Sequence, residues 1–338
     1  MNEINYNLQF DRLCDYLKLG HLLSEPVPVS GGLLHKMFAI NTTSGKYAVK
    51  ALNPQIMLRP PAMKAYINSE KISNLVAEKI PALPAKIING RSIQEIENQY
   101  YLVFDWVDGT SLKITQICAE HSRLMGEILA DIHNIDFSEL NIANDVSEVG
   151  QEIDWSFYLQ KGQEVNAEWV EILNESSDSL YYWNTRANLS GRLLADKLVI
   201  SHRDLDPKNV LWKSDKPVLI DWEAAGYVNP MYDLVDTAVY WSEAEDGSID
   251  NDRFLAFVKG YKSRSGEVRA DWRSVLEKGY EGKLGWLEYN LKRSLGMECT
   301  DIEEQRLGTE QVFGTMSALK NYSALIPELD KLLSYRTF

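Results

Sequence analysis

The stretch from Leu198 to Glu223 constrains this chain more than any other part of it. Three short apolar runs, Leu198 to Ile200, Val210 to Trp212 and Val218 to Ile220, are β-branched or aromatic-rich and end at polar residues, so they read as strands. His202, Asp204, Asn209 and Asp221 fall at the ends of those strands or in the loops that follow. A carboxylate in such a place is held by a rigid element yet is free to face a cleft, which is where binding and catalytic groups concentrate.

Spacing makes the stretch specific. Asn209 follows Asp204 by five positions and Asp221 follows Asn209 by twelve, across one hairpin. That spacing matches the phosphoryl-transfer layout in which one Asp accepts the proton of a substrate hydroxyl, while an Asn and a second Asp hold Mg²⁺ against nucleotide phosphates. Mg²⁺ is a hard cation that demands oxygen ligands in near-octahedral geometry, and a carboxylate, an amide oxygen and phosphate oxygens supply them. An Asp/Asn-rich hairpin whose side chains merely cap backbone groups is the alternative. It leaves unexplained why two strand-end acids should stand with an Asn between them in register.

The run His202-Arg203-Asp204-Leu205-Asp206-Pro207-Lys208-Asn209, followed by Ile220-Asp221-Trp222-Glu223, resembles the aminoglycoside phosphotransferase and choline kinase-like family, small-molecule kinases with the protein-kinase fold. Asn229-Pro230-Met231-Tyr232-Asp233-Leu234 resembles the family's Pro-x-Tyr-Asp-Leu segment. Protein kinases share His-Arg-Asp but place Lys two residues beyond the catalytic Asp, where this chain has Asp206, and Asp-Phe-Gly and Ala-Pro-Glu are absent. The resemblance implies an α+β, bilobal, protein-kinase-like fold. A nucleotide-binding lobe with a small antiparallel sheet would span residues 1–105. A larger, mainly helical lobe, with the catalytic loop and the acceptor region, would span 106–338. It also implies ATP or GTP as phosphate donor, Asp204 as catalytic base, and Asn209 and Asp221 as the Mg²⁺ ligands.

Further site residues follow from the same resemblance. Lys46 to Leu52 reads as a strand after the turn Thr42-Thr43-Ser44-Gly45, and Lys50 stands where these kinases keep the lysine that contacts nucleotide phosphates. A solvent-facing strand lysine is the alternative. Pro60-Pro61 opens a helix whose Glu70 lies among apolar neighbours and needs a partner, for which Lys50 is the expected one; Glu78, among more polar neighbours, is the competing glutamate. Gly31 and Gly32 would lie in a loop over the phosphates, although Gly-Gly alone also suits an ordinary hairpin. The strand Tyr100 to Phe104 leads into a hinge in which the backbone of Asp105 and Val107 would meet the base, with Phe104 behind it. Plain core packing is compatible with that place for Phe104. His133 and His202 are expected to brace the structure, and Asp233 to brace the catalytic loop.

Composition narrows the partners. Of 338 residues, 45% are hydrophobic and 25% charged, ordinary values for a soluble globular protein. The formal net charge of −14 disfavours nucleic acid and anionic membrane surfaces. No apolar run approaches the ~18–20 residues that span a bilayer. The N-terminus lacks the pattern of a signal peptide. Cys14, Cys118 and Cys299 are too few and too dispersed for a disulfide framework, so a cytoplasmic location is expected. Between Asp136 and Asn188 many carboxylates are interleaved with Trp155, Phe157, Tyr158, Trp169, Tyr181, Tyr182 and Trp183. Such a mixture suits an amine-bearing acceptor through ion pairs and cation–π contacts, or simply a solvated helix pair with aromatics in its core. Trp286, Asn290 and Arg293 share a helix face that would complete an acceptor pocket or pack in the core. The expectation is a kinase, monomeric or homodimeric, acting on a hydroxyl of a small cationic, aminoglycoside-like molecule. A choline, ethanolamine, homoserine or sugar kinase of the same fold, or a nucleotide-binding regulator without turnover, stands next.

Overall fold

The computed structural model describes residues 5–29, 34–144, 150 and 152–335. Gly31 and Gly32 lie outside them. The chain forms two compact units, residues 1–112 with 137–142 and 208–226, and residues 113–136 with 143–207 and 227–338. The first opens with α1 (Phe10–Leu17), β1 (Val27–Val29), β2 (Lys36–Thr42) and β3 (Gly45–Ala51), followed by α2 (Pro54–Met57), α3 (Ala62–Ala77), β4 (Ile93–Ile96) and β5 (Gln99–Asp105). The second contributes α4 (Ala119–His133), α5 (Trp155–Val165), α6 (Val170–Glu175), α7 (Ser177–Leu193) and β6 (Val199–Ser201). The hairpin β7 (Val210–Lys213) and β8 (Lys216–Leu219) belongs to the first unit again. After β9 (Gly226–Val228) come α8 (Pro230–Tyr240), α9 (Asn251–Ser265), α10 (Trp272–Lys278), α11 (Tyr280–Ser294) and α12 (Ile302–Tyr335). A five-stranded antiparallel sheet and the β7–β8 hairpin in one unit, with mostly helices in the other, make this the α+β class that the motifs imply.

Alternation along the strands decides where the first unit puts its charge. The sheet runs β1-β2-β3-β5-β4, with each neighbouring pair antiparallel. Val49, Ala51, Tyr101 and Val103 point to the face covered by Leu13, Cys14 and Leu17 of α1. Leu102 and Phe104 point to the other face, into a cluster with Leu52, Ile56, Tyr66 and Ala85. Residues one apart on a strand face opposite ways, and Lys50 is registered against Leu102. It therefore sits on the α3 side, only 6% exposed, and the solvent-facing alternative for it fails. A buried ammonium costs several kcal/mol unless it is paired, so its partners are decisive.

The hairpin β7–β8 is stitched to segments far upstream of it in the sequence. Leu83 N–H donates to Leu219 O and Leu219 N–H to Pro81 O, both at 2.8 Å. Thr110 and Trp212 exchange backbone hydrogen bonds of 3.1 and 2.9 Å.

In the second unit, α4 crosses α9 at two glycines. A Cβ on Gly126 would collide with the Phe257 carbonyl, and one on Gly260 with that of Arg123, so only glycine allows the approach. Helix α11 packs on α12 and α7 on α10. Trp155, Trp169 and Trp183 are 1%, 0% and 8% exposed, so the tryptophans of the acidic segment go to the core, the second of the two roles open to them. Phe157 and Tyr182 remain exposed. Asn229 starts α8 by accepting from the N–H groups of Met231 and Tyr232. Its amide also donates to the carbonyls of Leu194 and Lys197, anchoring the helix start. Among the described residues, no helix is long and apolar enough to cross a membrane.

Candidate active site

Lys50 is the centre of the first unit's polar cluster. Its Nζ donates to Asp221 Oδ1 at 2.6 Å and to Glu223 Oε2 at 2.8 Å, across more than 170 residues of sequence. Local backbone explains how one strand end delivers two acids to one ammonium. Asp221 adopts a left-handed conformation (φ 62°), which a short polar side chain tolerates, and Trp222–Ala224 then forms a single 3-10 turn packed on α3. The two residues at either side of Trp222 thereby face Lys50. Burial alone would lower the lysine's pKa, but the two carboxylates reverse this and raise it above its ordinary value. The ammonium stays charged throughout the physiological range. Burial pushes Glu223 above the usual carboxylate range, against the pull of Lys50.

The Lys50–Glu70 pair expected from the sequence is not the one formed. Glu70 is 4% exposed, and its Oε2 accepts from Ala85 N–H at 2.9 Å, with the Ser73 hydroxyl at 3.4 Å. Burial raises its pKa, and the Ala85 bond and the nearby Lys50 oppose the rise. The glutamate answers a backbone donor in the Pro81–Pro84 bend, a partner that side-chain patterns do not advertise.

Glu223 is braced from behind. His35, 5% exposed, accepts the Asn53 N–H on Nδ1 at 2.8 Å. Burial, and then the charge of Lys50, lower its pKa to about 3, so the ring is neutral and carries its proton on Nε2. From Nε2 it meets the Tyr66 hydroxyl of α3 and lies 3.4 Å from Glu223 Oε2. With a neutral ring this last contact is a hydrogen-bonding approach rather than an ion pair. Neither Glu223 nor His35 was singled out from the sequence. The available signal was a second acid two residues beyond Asp221, at the end of a strand.

Asn209 and Asp221 come together at one end of the hairpin, because Ile220 N–H donates to Asn209 O at 2.9 Å. Asn209 is 4% exposed, while the Asp221 side chain is 33% exposed. An amide oxygen and a partly accessible carboxylate suit Mg²⁺, which keeps waters and takes phosphate oxygens as further ligands. Among the described residues no cluster of three or more His, Cys, Asp or Glu could hold a metal ion, so such a cation would need ligand oxygens from a nucleotide. The residues present fit that requirement.

The residues expected to meet the nucleotide base have mixed surroundings. Phe104 is 8% exposed and packs with Leu52, Tyr66 and Leu102. The Asp105 carboxylate pairs with Lys86 at 2.6 Å at the surface. The Val107 carbonyl accepts from Gly109 N–H at 3.1 Å.

Asp204 belongs to the second unit, on the loop that leaves β6. Arg203 before it is left-handed (φ 65°), and Asp204 N–H donates to His202 Nδ1 at 3.3 Å. His202 is fully buried, and the Asp204 residue is partly exposed. The loop is braced twice more. Ser201 Oγ donates to Asp233 Oδ2 at 2.6 Å, and the same oxygen meets His133 Nε2 at 2.9 Å, whose Nδ1 meets the Tyr261 hydroxyl at 2.8 Å. Trp241 Nε1 donates to Leu205 O at 2.8 Å. The loop is thus held by Trp241 at the end of α8 and, through the Ser201 side chain, by the Asp233–His133–Tyr261 network of α8, α4 and α9, which gives Asp204 a rigid mount.

Residues 25–273 match a family described as the phosphotransferase enzyme family. Among solved structures, an ethanolamine kinase of Plasmodium vivax aligns with a TM-score of 0.58 at 16% identity, covering 91% of this chain and 89% of that one. A spectinomycin phosphotransferase in complex with ADP and spectinomycin aligns with a TM-score of 0.63 at 13% identity, covering 94% and 100%. A choline kinase of Cryptosporidium parvum aligns at 0.56 and 13% identity, covering 93% of both chains. At these identities the structural likeness speaks for the fold.

Proposed function

Because this chain belongs to the phosphotransferase enzyme family, we propose that it is a small-molecule kinase that moves the γ-phosphate of ATP or GTP to a hydroxyl of a small, amine-bearing acceptor. The observation that carries this reading is the buried Lys50 ammonium held by Asp221 and Glu223. Such a cluster is costly to desolvate and serves well as a fixed positive charge for phosphate oxygens. Two of the three N–H bonds of Lys50 are directed at the carboxylates, and the third suits a phosphate oxygen.

In the transfer, Asp204 accepts the proton of the acceptor hydroxyl as that oxygen bonds to the γ-phosphorus. The bond from phosphorus to the β–γ bridging oxygen breaks, and the nucleoside diphosphate leaves with those electrons. Asn209 and Asp221 would hold Mg²⁺, which when bound supplies neutralisation of the phosphate charge. Phosphoryl transfer asks little covalent work of the protein, so orientation and charge supply most of the rate. The rigid mount of Asp204 and the anchored Lys50 are what such catalysis needs. The ethanolamine, choline and spectinomycin named for the aligned proteins all bear amine or quaternary nitrogen beside hydroxyl groups, in keeping with an amine-bearing acceptor here.

The test is Asp204→Ala in an assay of nucleoside diphosphate release across amines, amino alcohols, sugars and aminoglycosides. Turnover should fall by orders of magnitude with nucleotide affinity nearly kept. Normal turnover of the variant with the acceptor that the screen identifies would contradict the role given to Asp204.

A further inference from the structure

A recess of about 470 Å³ opens within the second unit between α8, α11 and α12. Its lining combines two carboxylates, Asp236 and Glu243, with the rings of Tyr240 and Tyr322 and with Lys283. Burial lifts both carboxylates above their usual range, and Lys283 pulls each of them back only in part. Two acids against one lysine leave a negative surplus, which a cationic group on a ligand would cancel.

The lysine's position decides which cation can do so. Lys283 Nζ lies 4.6 Å from the centroid of the Tyr322 ring and 6.0 Å from that of Tyr240. Ring faces are where a quaternary ammonium, which has no N–H to donate, must rest. Here a resident ammonium already lies over them. A primary amine does not depend on the rings, since its N–H groups can reach Asp236 or Glu243. Lys283 in turn offers donors that match hydroxyl oxygens.

Two glycines keep the recess open. Gly282 on α11 and Gly314 on α12 both line it. A Cβ on Gly314 would meet nothing within 4 Å, and one on Gly282 would only graze the Tyr232 hydroxyl at 4.0 Å. A mid-helix glycine is less favourable than alanine, and no close packing at either site explains it.

The recess also adjoins the catalytic loop. Trp241, next to Tyr240, is bonded to the Leu205 carbonyl between Asp204 and Asp206. The Tyr240 phenol is raised first by Asp236 and by burial, then by Asp204 and Asp206.

We propose that this recess seats the phosphate acceptor and that Lys283 sets its selectivity, admitting amines that carry hydroxyl groups and turning away quaternary ammonium ions. The proposal rests on the phosphotransferase reading for the word acceptor, but its test does not. Glucosamine and its N,N,N-trimethyl derivative differ only at nitrogen, and binding of each to the full chain is read by saturation-transfer NMR. The wild type should favour glucosamine, and Lys283→Met should shift the ratio at least tenfold toward the quaternary analogue. Gly314→Leu fills the recess while improving helix propensity, so it should fold normally, keep nucleotide affinity and weaken both probes at least tenfold. An unchanged ratio in Lys283→Met, binding of neither probe to the wild type, or unaltered binding in Gly314→Leu would each overturn the proposal. Failure of the kinase reading would appear separately, as no release of nucleoside diphosphate by the wild type with any acceptor of the screen.

Discussion

Two lysines, one in each unit, show two ways of keeping a charge inside a protein. Lys50 is clasped by Asp221 and Glu223 at 2.6 and 2.8 Å, with His35 and Tyr66 behind the second acid. Lys283 rests on tyrosine rings, and its carboxylates act on it from beyond ion-pair distance. The first arrangement fixes one geometry, because each bond of the clasp satisfies a group that would otherwise be buried and unpaired. The second is replaceable, since a cation–π contact is worth only ~0.5–2 kcal/mol and a ligand can take over the carboxylates. A fixed charge suits a phosphate group common to every turnover, and a replaceable one suits discrimination among acceptors.

The largest effect that would break this contrast lies in the clasp itself. Glu223→Gln should lower kcat/KM for the nucleotide by about 10- to 100-fold, or roughly 1.4–2.7 kcal/mol, because the amide keeps the shape and loses the charge beside Lys50. Glu70→Gln keeps an oxygen for the Ala85 N–H and should change the same quantity by no more than about threefold. The reverse order would return the lysine's partnership to Glu70 and undo the clasp as described.

A smaller effect sharpens the role of His35. Its folded pKa of about 3 lies below that of a free histidine, so the unfolded chain binds the extra proton first as pH falls. The stability this gives is whole above the unfolded value and is lost between about 6.5 and about 3. Glu70 and Glu223, whose pKa values are raised, act in the opposite sense: their cost stands above the folded pKa and is relieved on acidification. They are common to wild type and variant. His35→Asn, in which Oδ1 can stand in for Nδ1, should therefore lose roughly 1–3 kcal/mol less stability than the wild type between pH 7 and pH 4 in denaturant titrations. Parallel curves would remove His35 from the network.

Legibility from sequence followed locality. Asp204, Asn209 and Asp221 stand at the ends of short strands with turn chemistry around them, so neighbouring residues alone suggest a site. Lys50 was readable as a strand lysine after a glycine turn, and register with Leu102 explains its burial. The choice of Glu70 as its partner failed for a physical reason. A helix face reveals that a buried glutamate needs a donor, but the donor proved to be the backbone of Ala85. Glu223 reaches Lys50 only through the left-handed turn at Asp221, a conformational detail that residue types barely encode. The hairpin's union with the first unit is equally hidden, because backbone bonds from Pro81, Leu83 and Thr110 make it. In the Trp286, Asn290 and Arg293 face, only Trp286 lines the recess, while Asn290 and Arg293 are buried at 0% and 1% exposure. Helical spacing shows which residues share a face but not how deep each one goes.

The most direct measurement is calorimetric titration of a non-hydrolysable ATP analogue, with and without Mg²⁺, into wild type, Asp221→Ala and Asp204→Ala. Asp221→Ala should lose the Mg²⁺-dependent part of binding, while Asp204→Ala should bind as the wild type does. Mg²⁺-dependent binding that survives intact in Asp221→Ala, or disappears in Asp204→Ala, would contradict the division of labour between the two aspartates.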